Sequence, residues 1–197
     1  ATFFPGVPVM FDRLATRARA TGANLSSCKI AVCGAAPNPL AVAQAWEEAT
    51  GGTIIEGYGM TESSPIILGN PISQARRPGT LGVPYPSTQV RLVDPEDVER
   101  EVAPGEIGEL VARGPQVFTG YWDNPEESAE AMLDGGWLRT GDLVRQEEDG
   151  FYVIADRRKE LIISGGFNIY PTEVEAAVRS MPQVEDVAVV GLPAEAG

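Results

Sequence analysis

The stretch 56–62, Glu-Gly-Tyr-Gly-Met-Thr-Glu, concentrates groups that suit a nucleotide. Gly57 and Gly59 let the backbone come close to a ligand. Backbone N–H groups and the Thr61 hydroxyl suit phosphate, and the Glu62 carboxylate suits Mg²⁺. Tyr58, between the glycines, offers a flat face to a base. The β-branched run Thr53, Ile54, Ile55 comes just before. The segment therefore reads as a strand over 53–56 that breaks into a Gly-rich turn over 57–61. Three more polar-plus-glycine sites stand along the chain: Gly34-Ala35-Ala36-Pro37, Thr140-Gly141-Asp142, and the charged run 156–159 with Ser164-Gly165-Gly166.

Composition narrows what these sites can do. The 197 residues carry a formal charge of −13 and are 43% hydrophobic, enough for a packed core. So acidic a chain argues against a nucleic-acid backbone or an anionic membrane held by bulk charge. Any triphosphate must be met by a few placed donors. Histidine is absent, so Ser-His and Cys-His nucleophile pairs and His-ligated zinc are excluded within the chain. Cys28 and Cys33 flank an apolar run and read as buried reduced thiols, which fits a cytosolic compartment. No run of eighteen apolar residues occurs, and the first residues do not read as a signal peptide; the chain reads as one entered midway.

The elements that must hold these groups follow from periodicity. Residues 8–20 form an amphipathic helix closed by Gly22. A strand over 29–33 leads into the 34–37 loop. Asn38 then caps a helix with Pro39 at its first position, which runs to Thr50 and ends at Gly51-Gly52. Strand, helix and strand with short links predict a βαβ unit and a parallel sheet. Ligands bind beyond the carboxyl ends of such strands, so the 34–37 and 57–61 loops can wall one crevice.

From residue 78 short apolar segments at 90–93, 107–113 and 117–121 predict an antiparallel β subdomain. A helix over 125–133 capped by Asn124 interrupts it. A strand over 137–140 ends at Gly141-Asp142, and 143–145 pairs with 151–155 as a hairpin. The charged run 156–160 reads as a hinge. After it come a strand over 161–164, a helix over 172–181 and a strand over 184–190.

With several motifs in register, the chain resembles the adenylate-forming enzymes: acyl-CoA synthetases, luciferases and peptide-synthetase adenylation domains. The matching stretches are GYGMTE at 57–62, GELVARGPQVFTGYW at 108–122, GWLRTGDL at 136–143 and DRRKELIISGGFNIYPTEVE at 156–175. Within that class it looks most like bacterial long-chain fatty-acid–CoA ligases. The segments VPYPST at 83–88, GPQV before GYW, and GFNIYP at 166–171 carry this narrower likeness.

The resemblance implies a fold in parts. Residues 1–156 would be the C-terminal part of a large AMP-binding domain, with an α/β portion at 1–77 and a distorted antiparallel β-barrel subdomain at 78–156. Residues 157–197 would be a hinge and the truncated start of a small α+β domain. It also implies ATP-dependent activation of a fatty acid to an acyl-adenylate, then thioester formation with CoA, with ATP/AMP, Mg²⁺ and CoA as cofactors. Gly34, Ala35, Ala36 and Pro37 would form one wall of the adenine slot and Tyr58 the other, with Glu56, Gly57, Gly59 and Met60 completing the motif. Thr61 would bond phosphate and Glu62 would ligate Mg²⁺. Asp142 would take the ribose hydroxyls and Arg157 the ribose or phosphate. Lys159 would be the hinge pivot, a position that is Asp in many relatives, and Gly165 and Gly166 would line the CoA tunnel.

The same resemblance puts the Ser/Thr/Gly-rich phosphate loop upstream of residue 1 and the catalytic lysine further along the small domain. The missing N-terminal half of the enzyme would then be a partner, and the segment alone would be inactive. It implies a cytoplasmic location, with peripheral association at the inner membrane as a further option, and no nucleic-acid partner. Two other readings stand beside it: another acyl-CoA ligase or a peptide-synthetase-type adenylation domain, and a non-catalytic nucleotide-binding or assembly module.

Overall fold

The parallel sheet is present, in a computed structural model that describes residues 1–164 and 167–192. Three parallel strands, β1 (Phe3–Gly6), β2 (Ile30–Cys33) and β3 (Thr53–Gly59), lie side by side. Helices α1 (Pro8–Thr21) and α2 (Leu40–Thr50) are the crossovers between them. Strand β1 escapes a sequence reading because it holds Pro5 and Gly6, both poor strand formers. It lies at the edge of the described sheet, where proline is tolerated. Aromatic packing seals the helices onto the sheet. Phe4 stacks on Trp46 with ring centroids 5.8 Å apart, and Phe11 meets both edge-on.

Two expectations here need correction. Asn38 does not cap α2. The helix starts one residue late, Pro39 takes the capping position, and Asn38 lies buried before it. Nor does the chain break into a turn at residue 57. β3 continues through Gly57, Tyr58 and Gly59 because an antiparallel partner, β4 (Ile66–Gly69), supplies the ladder. A two-residue strand, β5 (Val83–Pro84), follows on its far side. Gly59 marks a close backbone approach: a Cβ there would lie 1.7 Å from the Pro65 carbonyl oxygen.

The second sheet contains β6 (Gln89–Val93), β7 (Ile107–Arg113), β9 (Trp137–Gln146) and β10 (Tyr152–Arg157), in the antiparallel order β10-β9-β7-β6. Helix α3 (Pro125–Ala131) and β8 (Met132–Leu133) precede β9, and β8 pairs with it. The Asn124 side chain caps α3, as its sequence predicts. The strand expected over 117–121 is absent, because those backbone groups bond elsewhere. Val117 N–H bonds the Gly114 carbonyl, and Phe118 N–H bonds the Glu62 carbonyl. Conversely, the strand expected to end at 140 runs on to Gln146, bulged opposite Leu110.

The two sheets join at Leu81 and Gly82, which exchange backbone bonds with Tyr152 at 2.8 and 2.9 Å. Ile67 and Leu68 from the first sheet pack with Leu110, Ala112, Val144 and Tyr152 from the second. The result is a mixed α/β fold: a parallel sheet continued by a curled antiparallel half-barrel. A 3₁₀ turn at Arg158–Glu160 leads to a two-stranded hairpin, β11 (Ile162–Ser164) with β12 (Phe167–Ile169), and then α4 (Pro171–Arg179). The strand expected over 184–190 does not form; residues 186–190 are irregular, and Val190 is well exposed. No helix of the described residues is long and apolar enough to cross a membrane.

Candidate functional site: a polar corner between two sheets

Tyr58 and Asp142 are 84 positions apart in sequence, and the fold brings them into contact. The Tyr58 hydroxyl donates to Asp142 Oδ2 at 2.5 Å. Each gets there through a bulge. β3 shifts register against β4 between Tyr58 and Gly59. In β9, Gly141 adopts φ +71, the Thr140 hydroxyl donates to the Leu110 carbonyl, and Asp142 N–H bonds the Thr140 oxygen. Such a bulge re-aims the following side chain. A residue with a Cβ would be strained at that φ.

Burial raises both groups above their ordinary pKa. The Tyr58 phenol is pushed up by burial and by the Asp142 charge beside it. The Asp142 carboxyl is raised by burial, against the Tyr58 donor and Arg157, which favour its charged form. Arg157 Nε stands 3.5 Å from Asp142 Oδ1 at the end of β10, with its own side chain mostly exposed. Three of the sequence candidates thus meet at one point.

The 34–37 loop closes on the same strand. A Cβ on Gly34 would lie 3.1 Å from the Gly57 carbonyl oxygen, so the loop and β3 run at close range. Ala35, Ala36 and Pro37 are exposed beside it. Cys33, just before, has its thiol pushed up to about 12 by burial and by the Glu56 charge; Cys28 and Cys33 are both buried and free.

Glu56 faces another way. Its Oε2 accepts from Asn70 Nδ2 at 3.1 Å and its Oε1 from the Gly79 N–H at 3.3 Å. Asn70 in turn bonds Thr80 and accepts from the Arg77 N–H. Glu56 therefore fastens the 70–80 loop to β3, a role the sequence did not signal. Burial raises its carboxyl, against the Gly79 N–H and nearby donors. The Asn38 amide is among those that favour its charge, yet neither polar atom of that side chain completes a hydrogen bond.

Thr61 and Glu62 lie on a 3₁₀ turn (Thr61–Ser63) braced by Ser63, whose hydroxyl bonds Met60 and Pro65. Thr61 is exposed. Glu62 Oε1 accepts from the Tyr121 hydroxyl at 2.7 Å, a partner that sequence reading missed. That bond, with desolvation behind it, pushes the Tyr121 phenol up to about 12. A second missed feature lies under the site. Glu109, almost fully buried, receives Arg139 at 3.1 and 2.5 Å. Both residues sit inside stretches that carry the family likeness, which was the available signal. Lys159 is exposed on the 3₁₀ turn after β10. Gly165 and Gly166 lie outside the described residues.

Among the described residues no group of three or more His, Cys, Asp or Glu side chains could hold a metal ion. Glu62 offers one carboxylate. That suits Mg²⁺ carried on substrate phosphates, which needs only one or two protein carboxylates, and not an all-protein cage.

The fold is thus α/β, with the polar groups of Tyr58, Asp142 and Arg157 converging near the carboxyl end of β3, the region where such sheets bind ligands. The sequence profile of the AMP-binding enzyme family matches residues 1–122, and the chain belongs to that family. It is 44% identical over 192 residues to a long-chain-fatty-acid–CoA ligase of Bacillus subtilis (strain 168), covering 98% of this chain and 34% of the relative. It is 42% identical over 189 residues to a feruloyl-CoA synthase of an Amycolatopsis species, covering 95% of this chain and 38% of the relative. The structure of ATP-bound MatB from Rhodopseudomonas palustris superposes with a TM-score of 0.85 at 38% identity, over 98% of this chain and 38% of that one. The chain thus spans about a third of the length of the first of these relatives.

Proposed function

We propose that the protein carrying this chain activates a fatty acid in two steps. ATP and the acid give an acyl-adenylate and pyrophosphate; the CoA thiol then displaces AMP. The Tyr58–Asp142 bond carries the reading, because it joins two of the family-like stretches into one polar corner beside the 34–37 loop.

In this proposal Gly34, Ala35, Ala36 and Pro37 face the adenine from one side and Tyr58 from the other, with the Gly57, Gly59 and Met60 backbone between. Glu56 serves from behind, by bracing β3. Tyr58 holds one oxygen of Asp142, which leaves the other to accept from the ribose. Arg157 gives planar donors to ribose or phosphate. Thr61 bonds phosphate and Glu62 meets the Mg²⁺ that ATP brings, which when bound offsets phosphate charge. The domain boundary falls after Asp156, Lys159 is the pivot, and Gly165 and Gly166 border the CoA path. The separate β11–β12 sheet and α4 support that division. A cytoplasmic setting fits the two buried free thiols.

The feruloyl-CoA synthase relative is nearly as similar as the fatty-acid ligase, so an aryl acid is the second reading. A pyrophosphate-exchange panel on the full-length protein separates them. Palmitate and related acids should drive exchange. Exchange with ferulate alone would sink the fatty-acyl reading, and exchange with no acid would sink adenylation itself.

A further inference from the structure

We propose that Tyr121 is a positioning residue for Glu62: its hydroxyl fixes one carboxylate oxygen so that the other is presented to a divalent cation. The inference rests on the reading that Glu62 meets a phosphate-borne cation. It goes beyond that reading in assigning a task to the 114–124 loop.

A glutamate at the tip of a short turn has three side-chain torsions, and nothing in its own turn restrains the carboxylate. The restraint comes from a loop of the other sheet, laid along residues 62–66 and tied down at several points. Gln116 Nε2 donates to the Ile66 carbonyl at 3.2 Å and to the Thr88 hydroxyl at 2.7 Å. Phe118 N–H donates to the Glu62 carbonyl at 2.8 Å, which pins the backbone of the residue whose side chain Tyr121 holds. Tyr121 hydroxyl donates to Glu62 Oε1 at 2.7 Å.

The donor is itself held by contacts that do not involve the Glu62 carboxylate. Tyr121 N–H bonds the Ser128 hydroxyl at 2.8 Å, and that hydroxyl donates to the Asn124 carbonyl at the start of α3. The Tyr121 ring meets Phe118 edge-on, with centroids 4.9 Å apart. Backbone and ring are therefore anchored by contacts of their own, and the phenol oxygen stands where the carboxylate can use it. A phenol bonded to a carboxylate is a charge-assisted contact. Partners of that kind orient a metal ligand and tune it, and their removal weakens metal affinity by about 10- to 100-fold.

Tyr121→Phe in the full-length protein removes the hydroxyl and keeps the ring on Phe118. The probe is Mn²⁺, counted by electron paramagnetic resonance with a non-hydrolysable ATP analogue bound. Affinity for Mn²⁺ should fall about tenfold. The Mg²⁺ level that half-saturates adenylation should rise in step. Thioester formation from supplied acyl-adenylate, and the thermal midpoint, should stay near the parent's.

Glu62→Gln, measured alongside, should weaken Mn²⁺ at least as much. Unchanged Mn²⁺ affinity in Glu62→Gln overturns the metal reading of Glu62, and the Tyr121 role with it. Loss in Glu62→Gln with none in Tyr121→Phe overturns the Tyr121 role alone. So does a Tyr121→Phe protein that loses affinity and thermal midpoint together, since the loop would then be merely structural.

Discussion

Tyr58→Phe tests the joint on which the crevice depends. It deletes one hydroxyl and leaves the ring, so the change isolates the bond to Asp142. That carboxylate has a side chain only 15% exposed, and its other neighbour is weak: Arg157 stands 3.5 Å away with 69% of its side chain in solvent. Such an exposed pair contributes under about 1 kcal/mol. A hydrogen bond to a charged group contributes about 1.5–3 kcal/mol, so Tyr58→Phe should cost about that much at neutral pH. For a chain of this size that lowers the thermal midpoint by about 2–4 °C per kcal/mol.

A double-mutant cycle with Asp142→Asn, read by urea denaturation, should give a coupling energy in the same range. The pH dependence follows from the sign of the Asp142 shift. Its folded-state pKa is raised, by burial first. The native state therefore holds the proton more tightly than the unfolded state does. Stability from this group is present below the ordinary carboxylate pKa and is lost as pH rises through the raised value. Without the Tyr58 donor that value climbs further, so the loss extends to higher pH. The gap between parent and variant should be smallest in acid and widen toward neutral pH. A coupling below about 0.5 kcal/mol, or a gap that is flat from acid to neutral pH, would refute the reasoning.

Two further outcomes follow from buried polar contacts. Arg139→Ala leaves the Glu109 carboxylate, which is 1% exposed, with only the Arg158 guanidinium at 3.9 Å, and should cost about 3 kcal/mol in urea denaturation; a loss under about 1 kcal/mol would show that Arg158 or solvent takes over the pairing. Asp156 accepts from the Arg157 N–H at 2.7 Å and from Thr172 N–H in the first turn of α4 at 3.1 Å. Asp156→Ala should therefore speed hydrogen exchange over residues 171–179, by an opening free energy lower by about 1 kcal/mol, with protection in β7 and β9 unchanged. Equal exchange in parent and variant would mean that α4 is held by other contacts.

By itself the sequence determined what short-range chemistry determines. Periodicity and turn residues located α1, α2, α3 and most strands, because those signals act within a few residues. The Asn124 cap was legible for that reason, and the Tyr58, Asp142 and Arg157 candidates were legible from their motifs. What failed was set largely by partners outside the segment being read. β3 continues through Gly57 and Gly59 only because β4 pairs with it, and residues 117–121 are not a strand because Val117 N–H goes to the Gly114 carbonyl and Phe118 N–H to the Glu62 carbonyl. Asn38 was read as a cap from its type, but the start of α2 fell one residue later and left it buried. Tertiary structure alone decided that Tyr58 meets Asp142, that Glu56 turns to the 70–80 loop, and that Tyr121 reaches Glu62. Each contact spans 14 to 84 positions and depends on bulges, close backbone approaches and the joining of two sheets. No local pattern of residues encodes those distances.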